Sequence, residues 1–181
     1  SFAYCELIEK VDFNEHSKIE VFESDLFANS SIKDLYIPSS VVELKSTWCY
    51  QTKKLKKVTI SKDNRYFSYD NTNSFIIGKN QSDKNDYTTL FFAPRDIKNV
   101  IIPSFVKQIA SCAFNFCECI QKVEFSEDSK LKKIDRFAFA SSSITEISIP
   151  KSVMVIDDYA FHHCKKLKKV SAAGKYSLKQ S

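Results

Sequence analysis

The sequence predicts a mainly β solenoid, in which short strands from successive turns of the chain stack on one another. The main observation is an internal repeat: residues 1–58 align without a gap with residues 113–170, 112 positions later. Phe2, for example, falls on Phe114. Repetition at a fixed distance is typical of stacked units that bury their apolar faces only against one another.

A shorter repeat lies inside this long one. Anchor positions recur at intervals of 22 or 25 residues, except across one interval of 65 residues that lacks the standard pattern. The anchors are Phe2, Phe27, Cys49, Phe114, Phe139 and Phe161. An inward aromatic side chain in a stacked unit is covered by its neighbours. We therefore expect full burial of Phe27, Phe114, Phe139 and Phe161.

Each unit contains a bend followed by a short strand. At residues 55–60, strand alternation places Val58 and Ile60 inward, and Lys57 and Thr59 outward. Prolines 38, 103 and 150 come just after such strands, where no ladder donor is needed. We predict parallel strands near residues 11, 35, 58, 76, 100, 123, 147 and 170, in about seven turns.

The motif around the anchors resembles a known repeat family. The pattern I-x-x-x-A-F-x-x-C-x-x-L-x-x-V-x-I-P-x-S-V occurs as IASCAFNFCECIQKV at 109–123 and as IPKSVMVIDDYAFHHCKKLKKV at 149–170. Residues 1–172 resemble the BspA-like (treponemal-type) leucine-rich repeat, with an atypical insert at 64–98 and a polar tail at 173–181. The resemblance implies a right-handed leucine-rich-repeat solenoid with a parallel sheet on its concave face. Members of this family are often surface proteins of bacteria or protozoan parasites that act in adhesion.

The chain departs from the family pattern in places. Trp48 and Cys49 stand where Ala-Phe is expected, so we expect that turn to pack less regularly. The insert is rich in aromatic residues, which favours a packed turn over a protruding hairpin. Nothing before Phe2 resembles a polar capping unit, which predicts that the chain is a segment of a longer protein.

Composition excludes several classes of function. The net charge of +5 comes from 27 basic and 22 acidic residues, a mixture that favours solubility and does not by itself indicate nucleic-acid binding. Only 2 glycines occur, so no glycine-rich phosphate-binding loop is present. No apolar run approaches the length of about 18 residues that a membrane span needs. With 3 histidines and no motif for an activated nucleophile, we expect no enzymatic activity and no cofactor.

The six cysteines predict a ladder of buried thiols. Cys117 and Cys164 hold the same repeat position two turns apart, a separation of roughly 10 Å. A disulfide needs Cα atoms within about 7 Å. A bridge that involves Cys112 or Cys119 stays open as an alternative. His162 and its neighbour His163 lack a second pair of ligands at zinc spacing, so we expect no metal and exposed histidines.

Three lysine clusters, at 53–57, 130–133 and 165–169, allow two interpretations. They form either a solvated rim or a stripe that binds polyanions such as sulfated glycans or lipid headgroups. Aromatic residues do not alternate with the lysines, which argues against a nucleic-acid partner.

The outward positions of the predicted strands define a candidate binding face. One row reads Lys10, Asp34, Lys57, Asn99, Lys122, Glu146 and Lys169, in which opposite charges on neighbouring strands contribute about 0.2–1 kcal/mol per pair. From this row and the next we select Tyr36, Lys57, Thr59, Asn99, Ile101, Lys122, Glu124 and Lys169 as contact residues. The alternative is an ordinary exposed ladder that only stabilises the sheet.

Two hypotheses for function follow. The first is a non-enzymatic protein-binding or adhesion module with a protein or glycan partner, at the cell surface or outside the cell. The second is a structural or scaffold element inside a larger intracellular assembly. Glycosylation acceptor sequences at Asn29 and Asn80 bear on this choice, because they are used only in a secretory pathway.

Overall fold

The computed structural model describes residues 1–70, 72, 74–79, 85–172 and 177–178. These residues form a β-solenoid of about seven turns and contain no helix. The predicted fold class is therefore confirmed. A strand lies at each of the positions predicted from the repeat pattern.

The strands of the described residues are named in chain order. They are β1 (Lys10–Val11), β2 (Val21–Phe22), β3 (Asp34–Ile37), β4 (Glu43–Leu44), β5 (Lys57–Ile60), β6 (Phe67–Tyr69), β7 (Ile76–Gly78), β8 (Thr89–Phe92), β9 (Asn99–Ile102), β10 (Gln108–Ile109), β11 (Lys122–Phe125), β12 (Lys133–Ile134), β13 (Glu146–Ile149), β14 (Val155–Ile156), β15 (Lys169–Ala172) and β16 (Ser177–Leu178).

Two parallel sheets form the face predicted to be concave, which we call the front face. Their strand orders are β1-β3-β5 and β9-β11-β13-β15. The opposite face, the back face, carries β2-β4 and a longer sheet, β6-β7-β8-β10-β12-β14-β16 in spatial order. On the front face Lys122 lies beside Asn99 and Glu146, and Glu146 lies beside Lys169. This register is the one predicted from the outward row.

The strand predicted near residue 76 forms, but it does not lie parallel in the front face, and this part of the prediction is wrong. β7 instead pairs antiparallel with both β6 and β8 on the back face. The buried carboxylate of Asp70 stabilises this hairpin, because it accepts hydrogen bonds from the backbone N–H groups of Thr72, Ser74 and Phe75. The hairpin separates β5 from β9, so the front face consists of two sheets.

The hairpin is packed into the solenoid, as the aromatic content of the insert predicted. Phe67, Phe75 and Phe92 are buried. Gly78 allows the close approach of its strands, because a Cβ atom there would lie 2.6 Å from Cδ1 of Phe67 and 2.9 Å from the carbonyl oxygen of Tyr66.

The aromatic anchors stack along the solenoid axis. Phe27, Phe114 and Phe139 are completely buried, and the ring of Phe139 lies 4.9 Å from that of Phe114 and 5.3 Å from that of Phe161. Phe161 is only partly buried, so the expectation of full burial is wrong there. Phe161 lies between β14 and β15, near the end of the described chain, and among the described phenylalanines only Phe139 stacks on its ring.

Trp48 does not disturb its turn, contrary to expectation. The backbone N–H of Phe27 donates to the carbonyl of Trp48 at 3.0 Å, in the way that Phe139 bonds to Ala160 at 2.8 Å. The indole is 1% exposed and packs against the rings of Phe22, Phe27 and Phe92. The large ring therefore fills core space instead of displacing the backbone.

A buried arginine joins the two copies of the long repeat. The guanidinium of Arg95 donates to the carbonyl oxygens of Ala113 (2.9 Å) and Cys112 (3.2 Å), and to the Sγ atom of Cys49 (3.3 Å). It also stacks on the ring of Phe92, 4.7 Å from the ring centroid. Because Cys49 replaces the usual aromatic anchor, the smaller side chain leaves room for this cation.

Candidate binding surface

The eight selected contact residues lie on the front face in two groups. Tyr36, Lys57 and Thr59 occupy the first sheet, on β3 and β5, and Tyr36 and Thr59 are register neighbours. The second group lies on β9, β11 and β15 and consists of Asn99, Ile101, Lys122, Glu124 and Lys169. All eight are exposed except Tyr36, which is partly buried.

The first group is partly covered by the chain's own side chains. The hydroxyl of Tyr36 donates a short hydrogen bond to Oε1 of Glu15, and the hydroxyl of Ser61 donates to Oε2 of the same carboxylate at 3.2 Å. Burial, and then the hydrogen bond to Glu15, raise the pKa of Tyr36. The loop that carries Glu15 is thus bonded across β3, and it closes the front face at Tyr36, whereas Lys57 and Thr59 stay exposed.

The second sheet carries an open groove of about 880 Å³ above β11, β13 and β15. Its floor includes Lys122, Glu124, Ser148 and Lys169. The loops at 126–129 and 150–152 form its walls and add Glu127, Asp128 and Lys151. Three of the selected residues therefore line one cavity, whereas Asn99 and Ile101 lie beside it on β9.

The internal repeat explains why one sheet is closed and the other is open. Ser148 occupies the position of Tyr36, and Glu127 that of Glu15. The short hydroxyl of Ser148 lies 2.7 Å from the hydroxyl of Ser171 on the next strand. Ser148 has no aromatic hydroxyl that could bond to Glu127 and fix its loop across β13, so the groove stays open.

The ion pairs of Lys122 and Lys10 on the front face run along one strand, whereas Lys33 and Glu9, which flank β3 and β1, pair across neighbouring turns at 2.6 Å. Lys122 contacts Glu124 at 2.5 Å, and Lys10 contacts Asp12 at 2.9 Å. The hydrogen bond to Glu124 raises the pKa of Lys122, and the charge of Glu146 on the next strand has only a small effect in the same direction. Residues two apart on a strand face the same side, so the long lysine side chain reaches either partner. The predicted neighbours are correct, but among the described residues neither Lys10 nor Lys122 forms an ion pair with its register neighbour on the next strand.

The cysteines are unpaired, and cysteines at the same repeat position differ in burial. Cys49, Cys112 and Cys117 are buried, Cys164 and Cys5 are intermediate, and Cys119 is exposed. Burial raises the pKa of Cys112 to about 12 and that of Cys117 to about 11. Such thiols are poor nucleophiles at neutral pH, because the thiolate is the reactive form.

The remaining sites predicted from sequence occupy turns. His162 and His163 are exposed, with ring centroids 4.0 Å apart. In the described part of the chain no group of three or more His, Cys, Asp or Glu side chains is arranged to hold a metal ion. Asn29 lies in a turn with a φ of 56° and is partly buried, and Asn80 lies outside the described residues. Among the described residues no helix is long and apolar enough to cross a membrane.

Comparison with known proteins supports the architecture. A family model described as the BspA type leucine-rich repeat region matches the chain in six copies, over residues 1–82 and 86–180. The chain belongs to this family. A search of curated proteins finds no match to this BspA-type chain.

Two solved structures resemble this BspA-type chain. A leucine-rich repeat protein from Eubacterium ventriosum superimposes with a TM-score of 0.69 at 26% identity, over 83% of this chain and 39% of that one. A leucine-rich cell surface protein from Faecalibacterium prausnitzii gives a TM-score of 0.54 at 18% identity, over 96% of this chain and 62% of that one. In both comparisons this chain spans less than two thirds of the other protein's length.

Sequence reasoning missed the walls of the groove and the role of Arg95. The loops at 126–129 and 150–152 lie outside the outward strand positions from which the contact residues were selected. A signal was present nevertheless, because the long repeat aligns Tyr36 with Ser148. When one copy has a large residue and the other a small residue at the same outward position, the two copies are expected to cover the front face differently.

Proposed function

We propose that this chain is a protein-binding module whose groove over β11, β13 and β15 receives an extended, polar segment of a partner protein. The observation that carries the proposal is the difference between the two repeat copies. The front face of the first copy is closed by Tyr36 and Glu15, whereas that of the second is open at Ser148.

The groove offers hydrogen-bond donors and acceptors in alternation. Lys122 and Lys169 supply positive charge, Glu124 and Glu127 supply negative charge, and Ser148 supplies a hydroxyl. A peptide in extended conformation presents N–H and C=O groups along its length, and side chains of either charge can find a partner here. The mixed charges favour a polar partner over an apolar one, and they favour specificity over raw affinity.

Family membership supports a binding role, since leucine-rich repeats of this type form extended interaction surfaces and not catalytic sites.

We also propose a location at the cell surface. One structural relative, from Faecalibacterium prausnitzii, is described as a cell surface protein. Adhesion would be the biological use of such a surface.

A scaffold element inside the cell is the second candidate. The six unpaired thiols favour it, because disulfides persist in oxidising compartments and free thiols are the rule in the cytosol. The intact mass of natively isolated protein, with and without alkylation, separates the two locations. Glycan mass at Asn29 or Asn80 supports secretion, and a bare mass with six alkylated thiols supports the cytoplasm.

The groove is tested by selecting peptides from a random dodecapeptide library on the immobilised protein. Enriched peptides are then titrated against Ser148→Tyr, which reproduces the closed arrangement of the first copy. Ser24→Tyr is the matched control, because Ser24 is exposed and lies after β2 on the back face. We expect at least tenfold weaker binding to Ser148→Tyr and unchanged binding to Ser24→Tyr. Equal binding by both variants would show that the groove is not the site.

A further inference from the structure

The outer turns of the solenoid form a second surface, away from the front face, which we call the turn edge. It consists of residues 51–54, 116–118, 141–143 and 163–166 from successive turns. Backbone hydrogen bonds join these turns: Phe116 donates to Ala140 at 3.0 Å, and Ser141 donates to His162 at 2.7 Å. The ammonium of Lys53 lies 4.8 Å above the ring of Phe116, so the first two segments are also neighbours.

A notch interrupts the turn edge at residues 141–143. The unit that begins at Phe139 has one residue fewer between its anchor and its strand than the units that begin at Phe114 and Phe161. The shorter loop leaves a cavity of about 570 Å³ between two longer ones. Its floor is Ser141–Ser143, one wall holds Phe116 and Glu118, and the other holds His163, Lys165 and Lys166.

The notch contains unused hydrogen-bond donors and cations. Ser142 contacts the Sγ atom of Cys164 at 3.5 Å, but the hydroxyls of Ser141 and Ser143 have no partner among the described residues. Lys165 and Lys166 likewise have no carboxylate partner in the described structure, in contrast to Lys122. Glu118 is the only acidic residue among those that line the notch.

A second pair of lysines extends this surface along the solenoid axis. Lys53 and Lys54 lie on the turn edge three turns before Lys165 and Lys166, a distance of about 14 Å at the spacing of stacked strands. Lys54 donates to the hydroxyl of Ser31 at 3.3 Å, and its charge contributes weakly to lowering the pKa of Glu9, but neither lysine forms a close ion pair among the described residues. Cations in the notch and further along the same edge favour a ligand that carries several negative charges in a row.

We propose that the turn edge binds a sulfated glycan, which lies along the axis with one sulfate group in the notch. Sulfate oxygens accept charge-assisted hydrogen bonds from Lys165 and Lys166 and neutral ones from Ser141 and Ser143. A single small anion cannot reach both lysine pairs, whereas a linear polyanion does. Nucleic acid is a poorer fit, because the ring of Phe116 is covered by Lys53 and offers no free face for a base to stack on.

Binding of heparin oligosaccharides, measured by calorimetry at physiological ionic strength, tests this assignment. Lys165→Ala/Lys166→Ala should weaken binding at least tenfold, and Ser143→Ala should weaken it severalfold. Lys130→Ala/Lys132→Ala is the control, because it removes the same charge from exposed residues on the opposite edge, between β11 and β12. The control should change binding less than twofold. Ser148→Tyr should bind heparin normally, since the notch does not depend on the proposed groove.

Three outcomes would overturn the proposal. Equal losses in the two double-lysine variants would mean that heparin responds only to net charge. Absence of measurable heparin binding would exclude the site. Tighter binding to phosphatidylserine vesicles or to inorganic phosphate than to heparin, with the same dependence on Lys165 and Lys166, would assign the notch to another anion.

Discussion

Removal of one ring from the aromatic stack tests whether each turn is stabilised only by its neighbours. Phe139 is completely buried, with Phe114 on one face of its ring and Phe161 on the other. Phe161 is partly exposed and stacks on Phe139 alone in the described structure. In a solenoid, stability is close to a sum of contributions from the units and from their nearest-neighbour interfaces. Phe139→Ala and Phe161→Ala should therefore lower the free energy of unfolding by different amounts, although both remove the same side chain.

The magnitudes follow from burial and stacking. Phe139→Ala removes a fully buried ring and should lower the free energy of unfolding by about 3–5 kcal/mol. Phe161→Ala removes a ring that is partly exposed and belongs to one stacked pair instead of two, so we expect a smaller loss of about 2–3 kcal/mol. Lys57→Ala, on the exposed front face, should stay within about 0.5 kcal/mol of the parent.

The assay is equilibrium denaturation in urea, followed by far-ultraviolet circular dichroism and by the fluorescence of Trp48. The chain contains one tryptophan and it is buried, so its fluorescence reports on the first copy of the repeat. Circular dichroism reports on all strands. Equal losses for Phe139→Ala and Phe161→Ala, or a loss for Lys57→Ala of similar size, would refute the stacked arrangement.

Three further predictions concern the junction of the copies, the hairpin and pH. Arg95→Met should lower the free energy of unfolding by about 2–4 kcal/mol, because the carbonyl oxygens of Cys112 and Ala113 lose a buried donor; a stabilised variant in thermal melts would contradict this. Gly78→Ala should lower the free energy of unfolding in urea by about 1–3 kcal/mol, since the new Cβ atom would lie 2.9 Å from the carbonyl oxygen of Tyr66. An unchanged denaturation midpoint would show that the strands of the hairpin do not pack this closely. The free energy of unfolding should stay level up to about pH 8 and then fall towards about pH 12. The reason is that burial raises the pKa of Cys112 to about 12, whereas thiols of the unfolded chain lose their protons at about pH 8.5. A Cys112→Ala/Cys117→Ala variant, titrated in the same way, should show a shallower fall, and an identical curve would exclude these thiols as the cause.

The strand register could be predicted from the sequence because two signals agree. Alternation places Val58 inward and Lys57 outward, and the long repeat carries the same assignment to Val170 and Lys169. Register neighbours such as Lys122 and Glu146 follow directly.

Features that depend on distant residues could not be predicted. Nothing in the repeat pattern indicates that Arg95 is buried. Its burial requires the small side chain of Cys49, which is remote in sequence. The closed and open front faces depend on whether a loop residue, Glu15, reaches Tyr36 on the next turn. Burial of Phe161 depends on what lies on the far side of its ring, and the repeat motif alone does not contain that information.

Hydrogen exchange measured with and without a library-selected peptide tests the central claim most directly. Stable binding in the groove should slow exchange in β11, β13 and β15, at residues 122–125, 146–149 and 169–172, because the opening of these strands is suppressed when ligand is bound. β3 and β5 in the first copy should exchange as before. Protection confined to β3 and β5, or to the back face, would contradict the assignment of the open groove as the binding site.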